Sequence, residues 1–157
     1  MLRNVCKWAL TAAVLLWCIF IWHFSLAPAE KSADTSGEVV EFCNEVLESI
    51  GSDKKVTSHG VRKTAHFTEF MVLGALAVAA LTAHGFRHAF LLSSAVFLPV
   101  AVVDECIQLL SPGRGPAVAD VLLDCLGGAC GAVAFCLVFA LSLSIINKRK
   151  ENISKTT

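Results

Sequence analysis

The chain has 157 residues, of which 55% are hydrophobic and 17% charged, and its formal net charge is zero. This composition is too apolar for an ordinary soluble domain, which would have to bury nearly every side chain, and it favours a small polytopic membrane protein. The lack of net positive charge excludes a strongly basic nucleic-acid-binding protein, so we expect no nucleic-acid partner.

Four stretches are long and apolar enough to cross the membrane, since a helix needs roughly 20 residues to span about 30 Å of hydrocarbon. We predict spans at about 8–26, 64–83, 89–110 and 118–146. The two-residue alternation of a transmembrane barrel does not occur. The predicted fold is all-α: one polytopic membrane domain over residues 1–157, built as a bundle of four transmembrane helices.

The first apolar stretch also has features of a cleaved signal peptide, because the amino terminus is basic and residues 27–29 resemble a small-residue cleavage site. Its apolar run of about 19 residues is longer than a typical signal-peptide core. Trp8 and Trp22 bracket it like the aromatic residues at a membrane interface. We therefore predict that it is retained as a span.

Basic residues predict the orientation, because Lys and Arg accumulate in short cytoplasmic loops. Those next to the spans put both termini in the cytoplasm; they are Arg3, Lys7, Arg87 and residues 148–150. A second basic group opposes this orientation, since it lies in the predicted outer loop between the first two spans. Its members are Lys54, Lys55, Arg62 and Lys63.

The outer loop carries a helical pattern between about residues 36 and 50, with apolar side chains on one face and glutamates on the other. This predicts an amphipathic helix that lies on the membrane interface or packs over the mouth of the bundle. Thr35 and Glu38 have the spacing of a capping box, which predicts a helix start at Thr35.

Ionisable groups inside apolar spans are costly and are usually functional. Here the predicted topology places them in the outer turns of three spans. They are His66 and Glu69 on the second span, Asp104, Glu105 and Gln108 on the third, and Asp120 and Asp124 on the fourth, with Arg62 and Lys63 just before the second span. The short turn at 111–116 carries Arg114, which can reach over this cluster.

The cluster contains five carboxylates and three cationic side chains, a formal excess of two negative charges. Protonated carboxyls, a protonated His66, a divalent cation or a cationic ligand group would offset this excess. The candidate ligands for a divalent cation such as Mg²⁺ are Asp104, Asp120 and Asp124. His66 and Glu69 are the candidate acid–base pair. A salt-bridge network that only stabilises the bundle is the structural alternative.

Glycines continue the stripe of carboxylates on the fourth span. Gly127 and Gly131 form a G-x-x-x-G pattern on the helical face that carries Asp120 and Asp124. Such a pattern lets a neighbouring helix approach closely, and Gly74 on the second span is the predicted point of contact.

Four motifs together resemble the VanZ-like family of bacterial membrane proteins, and the resemblance extends over about residues 8–146. They are RKTAHFTEF at 62–70, DECIQ at 104–108, PGR at 112–114, and the series from Asp120 through Gly127 to Gly131. The family pattern has Asn where this chain has Asp124, so an amide is replaced by a carboxylate that only accepts hydrogen bonds. The resemblance implies a cell-envelope protein without an established reaction, whose namesake is associated with low-level teicoplanin resistance.

Our leading hypothesis is a non-enzymatic protein of the bacterial cell membrane. Its outer site would bind a lipid-linked or peptidoglycan-related group, or a glycopeptide, and so affect antibiotic susceptibility. Arg62, Lys63 and Arg114 would contact phosphate. The alternatives are a metal-assisted hydrolase or transferase acting on a lipid phosphate, and an ion-coupled transporter; no nucleophile elbow, H-E-x-x-H motif or phosphate-binding loop occurs. The sequence does not determine the oligomeric state.

Overall fold

The computed structural model describes residues 2–27, 29–110 and 117–156, with side chains described for 4–27, 36–110 and 117–155. Within these ranges the chain forms five α-helices and no strand. The helices are α1 (Leu2–Ser25), α2 (Ala29–Ser49), α3 (Ser58–His84), α4 (Ala89–Leu109) and α5 (Val118–Thr156). All except α2 are long and apolar enough to cross a membrane. The prediction of an all-α membrane bundle of four spanning helices is confirmed.

The outward faces of the spanning helices carry large apolar side chains. Leu16, Leu98 and Leu137 are 66%, 52% and 60% exposed, respectively. A soluble monomer rarely exposes so continuous an apolar surface, whereas lipid tails are as apolar as leucine and solvate it well. The chain is therefore a multi-pass membrane protein.

Helix α3 lies at the centre of the bundle and contacts each of the other four helices. The most deeply buried apolar side chains lie where it meets α1 and α4; Ile21, Phe70, Leu73 and Ala101 are completely buried. In lipid, association of these helices depends on close packing more than on exclusion of water. The fit around α3 therefore fixes the relative positions of the other spans.

The two ends of the bundle differ in chemistry. We call the end where α1 and α4 finish and α3 and α5 begin the site end. At the far end, Thr11 and His84 are joined by a 2.9 Å hydrogen bond. Because the Thr11 hydroxyl already donates to the Lys7 carbonyl, it accepts from His84 Nε2. Trp8 packs edge-on against the same imidazole, so this end has a satisfied interfacial histidine.

Local signals define both ends of α3. The Thr57 hydroxyl accepts a 3.2 Å hydrogen bond from the Gly60 amide and caps the first turn. Gly85 ends the helix with a φ of 88°, a conformation that glycine adopts without a steric penalty. Asn44 of α2 pairs with both backbone polar groups of Val56, which attaches α2 to the segment that leads into α3.

Backbones meet directly between α3 and α5, which run parallel. A Cβ atom added to Gly131 would lie 1.7 Å from the Met71 carbonyl oxygen, and one added to Gly74 would lie 1.9 Å from the Gly128 carbonyl oxygen. No real Cβ atom approaches an oxygen so closely. These glycines therefore allow an interhelical distance that any other residue would prevent.

Helix α2 begins at Ala29, earlier than the predicted start at Thr35. Thr35 is therefore inside the helix and is not its N-cap. Among the described residues α2 contacts α3 and no other helix, while its Phe42 and Val46 are 67% and 45% exposed. The amphipathic helix thus lies beside α3 and does not cover α4 and α5.

Candidate functional site

Three helices bring ionisable and amide side chains together at the site end, and we call this set the polar site. It consists of Lys63, His66 and Glu69 on α3, Asp104, Glu105 and Gln108 on α4, and Asp120 and Asp124 on α5. Because α4 runs against α3 and α5, its last turns lie at the level of their first turns. The topology alone therefore concentrates the carboxylates in one part of the bundle.

Asp104 is at the centre of the polar site and is completely buried. Its Oδ2 accepts a 2.8 Å hydrogen bond from the Gln108 amide, one turn later on the same face of α4. The same oxygen lies 3.7 Å from His66 Nδ1, too far for a hydrogen bond. Its Oδ1 has no hydrogen-bond partner among the described residues.

Asp124 approaches Asp104 from α5 and is 2% exposed. Its Oδ1 also has no hydrogen-bond partner in the described part of the chain. One turn further along α5, a Cβ atom on Gly127 would lie 2.4 Å from the Phe67 carbonyl oxygen, so the backbones of α3 and α5 are in contact next to His66. That contact holds Asp124 close to His66.

Glu105 has a different role at the edge of the polar site. It is 8% exposed, and its Oε1 accepts a 2.6 Å hydrogen bond from the Ala117 amide, just before α5 begins. The carboxylate of α4 thereby fixes the start of α5. Acidic groups near a helix N-terminus also interact favourably with the helix dipole.

Lys63 and Asp120 form a 2.7 Å ion pair that links the first turns of α3 and α5. Their side chains are 37% and 28% exposed, so this pair lies nearer the solvent than Asp104 and Asp124. Among the described residues no ion pair includes Arg62. Arg114, predicted to lie over the acidic cluster, is outside the described residues.

Three side chains of the polar site can converge on one ion. His66, Asp104 and Asp124 each offer one ligand atom, and these atoms lie within 4.8 Å of one another. The sequence-based proposal for a metal site named Asp104, Asp120 and Asp124. The geometry instead groups His66 with Asp104 and Asp124, because Asp120 is paired with Lys63.

An apolar groove of about 890 Å³ lies beside the polar site, between α1, α2 and α3. Trp17 and Phe20 form its α1 wall, and Val39 and Cys43 contribute from α2. Its floor is a stripe along α3, from Thr57 near the site end to Val72 in the interior; the other members are Gly60, Val61, Thr64, Ala65, Thr68 and Glu69. Lys55 lines its rim at the site end.

Glu69 connects the groove with the polar site. Glu69 is one of the residues that line the groove, and its side chain interacts electrostatically with Asp104. The Trp17 indole donates a 2.9 Å hydrogen bond to the Glu69 backbone carbonyl. Sequence reasoning did not identify the groove or Trp17. The groove could have been inferred from small residues that recur every four positions, at Gly60, Thr64 and Thr68. This spacing leaves one face of α3 without large side chains.

Comparison with known proteins agrees with this architecture. A family model described as VanZ/LLP1 matches residues 10–140, which include all of the polar site and the groove. No curated protein and no solved structure matches the chain. Since the family model covers most of the chain, including three helices that carry the quoted motifs, the protein belongs to the VanZ/LLP1 family.

Proposed function

We propose that this protein binds a lipid with an anionic head group in the bacterial cell membrane, its hydrocarbon chain in the groove and its head group at the site end. Binding of such an envelope lipid, or of a peptidoglycan precursor carried on one, would alter susceptibility to glycopeptide antibiotics. The groove is the observation that supports this proposal most directly. It is largely apolar, lies between α1, α2 and α3, and is bordered by a lysine at one end.

The dimensions of the groove favour a hydrocarbon chain. The α3 stripe from Thr57 to Val72 is about 22 Å long at roughly 1.5 Å per residue. That length is a large part of the hydrocarbon thickness of one bilayer, about 30 Å. Apart from Lys55 and Glu69, its lining side chains are uncharged. A chain aligned with α3 would therefore contact a largely apolar lining.

Charge favours an anionic head group at the rim. Lys55 is exposed and borders the groove, whereas Lys63 is already paired with Asp120. A phosphate placed next to Lys55 would gain an ion pair at the membrane surface. Contacts from Arg62 and Arg114 to the same head group remain part of this proposal.

The hydrocarbon part of the proposal is tested by filling the groove. Ala65→Trp adds an indole to its floor, and Leu143→Trp adds the same indole to a lipid-facing position of α5 far from it. Native mass spectrometry with a polyisoprenyl phosphate should show occupancy that falls at least about tenfold in the first variant, because a filled cavity excludes the chain. Equal occupancy in both variants contradicts a groove-bound lipid.

The head-group part is tested with neighbouring lysines. Lys55→Gln removes the charge that borders the groove, and Lys54→Gln removes one that does not. An exposed ion pair contributes up to about 1 kcal/mol, so we expect a roughly two- to fivefold weaker affinity in Lys55→Gln alone. Identical losses in both variants indicate a nonspecific charge effect. Release of inorganic phosphate during these assays would favour the hydrolase alternative.

The link to antibiotics needs a cellular measurement. Cells that express the wild type should differ in teicoplanin susceptibility from cells that express Ala65→Trp at the same membrane abundance. Leu143→Trp should behave as the wild type. An unchanged susceptibility in cells with and without the protein would remove the antibiotic role and leave lipid binding to be judged separately.

A further inference from the structure

We propose that His66, Asp104 and Asp124 form a binding site for a divalent transition-metal ion inside the helix bundle. The three residues come from α3, α4 and α5, so an ion bound there would join the central helix to both of its polar neighbours. The inference is separate from lipid binding, because none of the three side chains lines the groove.

The distances suit ligands of one ion. Metal–nitrogen and metal–oxygen bonds to such ions are about 2.0–2.2 Å, so two ligand atoms on one ion lie up to about 4.4 Å apart. The three ligand atoms here lie within 4.8 Å of one another, and small rotamer adjustments would bring them into range. The 3.7 Å between His66 Nδ1 and Asp104 Oδ2 is too long for a hydrogen bond but fits two atoms on one ion.

The second observation is the state of the buried carboxylates. Asp104 and Asp124 are 0% and 2% exposed, and the Oδ1 atom of each has no hydrogen-bond partner among the described residues. A buried carboxylate oxygen without a partner is expensive, and two of them close together add mutual repulsion. A divalent cation bound between the two carboxylates would offset their repulsion.

Among the described residues no Lys or Arg forms an ion pair with either of these carboxylates. Lys63 forms its ion pair with Asp120. Glu69 and Glu105 add further negative charge around Asp124. The same arrangement accounts for the exclusion of Asp120 from the site, because its charge is already balanced.

The donor set selects the type of metal. One imidazole and two carboxylates are intermediate between the all-oxygen sites of Ca²⁺ and Mg²⁺ and the thiolate-rich sites of structural zinc. Imidazole suits Zn²⁺, and carboxylates suit Mn²⁺. Three protein ligands also leave coordination positions for water or for an oxygen of a bound molecule. We therefore assign the site to an ion such as Mn²⁺ or Zn²⁺.

The test uses the full-length protein, purified in detergent and treated with a chelator, with Mn²⁺ as the probe. The chain has seven cysteines, and thiolates favour softer ions than Mn²⁺, so this probe avoids most adventitious binding. Loss of the paramagnetic signal of free Mn²⁺ measures affinity and stoichiometry. We expect one ion per chain. The bound Mn²⁺ should show a hyperfine coupling to an imidazole nitrogen, and this coupling should disappear in His66→Gln.

Asp124→Asn and His66→Gln should each weaken Mn²⁺ binding by at least about tenfold, since loss even of a supporting group commonly costs that much. Asp120→Asn is the matched control, with the same chemical change one turn earlier on α5, and should stay within about twofold of the wild type. Because the two ligand variants lie on different helices, one decides the question if the other fails to fold.

Two results overturn the site. One is binding that is equally weakened in Asp120→Asn, or that persists in both ligand variants. The other is a wild type that binds no Mn²⁺. All measurements are made without added lipid, so failure of the lipid proposal would not affect them.

Discussion

The two halves of the α3–α5 interface are built on opposite principles. In the half near the middle of the bundle, glycines allow backbone contact, and Gly131 and Gly74 leave no space for a methyl group. In the half at the site end, the same helices meet through polar side chains, those of Lys63, His66, Asp120 and Asp124. The first half depends on the absence of side chains, whereas the second depends on their charge.

This difference indicates how the bundle holds costly groups in place. Backbone contact at the glycines sets the distance between α3 and α5, and little adjustment is available there. The carboxylates one or two turns away therefore cannot move apart to relieve their repulsion. We expect substitutions in the glycine half to lower stability. Substitutions of the buried carboxylates in the polar half should raise stability and weaken ion binding.

The largest effect should follow Gly131→Ala. A methyl group there would lie 1.7 Å from the Met71 carbonyl oxygen, and neither backbone can move without separating the helices. We expect the free energy of unfolding in detergent to fall by about 3 kcal/mol, the upper part of the range for overpacked sites. Gly37→Ala is the control, because nothing lies within 4 Å of its added methyl group. Equal stability of the two variants would show that the interface is looser than the structure indicates.

The next effect has the opposite sign. In the presence of a chelator, Asp124→Asn should raise the free energy of unfolding by about 2 kcal/mol, because it removes a buried charge that has no counter-charge among the described residues. In Mn²⁺ at about a hundred times the dissociation constant, the wild type should gain about 2.7 kcal/mol that the variant lacks. Thermal or denaturant unfolding in the two buffers gives the comparison. A variant that is less stable in chelator would mean that the chain itself neutralises Asp124.

A smaller loss is expected for Gly128→Ala. Its added methyl group would lie 2.6 Å from the Phe97 ring, but that side chain can rotate whereas a carbonyl cannot. We expect a loss of about 1 kcal/mol in the free energy of unfolding. Adding Phe97→Leu should restore part of it, while the same second change should not rescue Gly131→Ala. Rescue of both would point to a general loosening of α4.

Much of this arrangement follows from the sequence, for physical reasons that can be traced. Length and apolarity define the four spans, and a span order that alternates direction puts the ends of α4 and the starts of α3 and α5 at one level. The helix α5 nevertheless continues to Thr156, past the predicted end of the span at residue 146. Apolarity ends there, but the basic residues that follow are good helix formers, and Lys155 pairs with Glu151 one turn earlier.

The different roles of Asp120 and Asp124 within the polar site could not be predicted from the sequence. Asp120 and Asp124 lie one turn apart on the same stripe, so spacing assigns them equal roles. Which of them meets Lys63 and which meets His66 depends on how far α5 is shifted along α3, and that shift is set by backbone contact at the glycines. The groove was missed for a related reason, because its walls come from α1 and α2 and its shape depends on where α2 lies.

The smallest effect should come from the ion pair at the solvent-facing edge of the interface. Lys63 and Asp120 are 37% and 28% exposed, and an exposed pair seldom contributes more than about 1 kcal/mol. A double-mutant cycle with Lys63→Met and Asp120→Asn should give a coupling energy of about 0.5 kcal/mol that decreases as salt is added. Neither change should alter Mn²⁺ binding more than about twofold, because neither residue is a ligand of the proposed site. A coupling of several kcal/mol that salt does not affect would place this pair in the same buried, low-dielectric region as Asp124, and the polar half of the interface would then be one strongly coupled network.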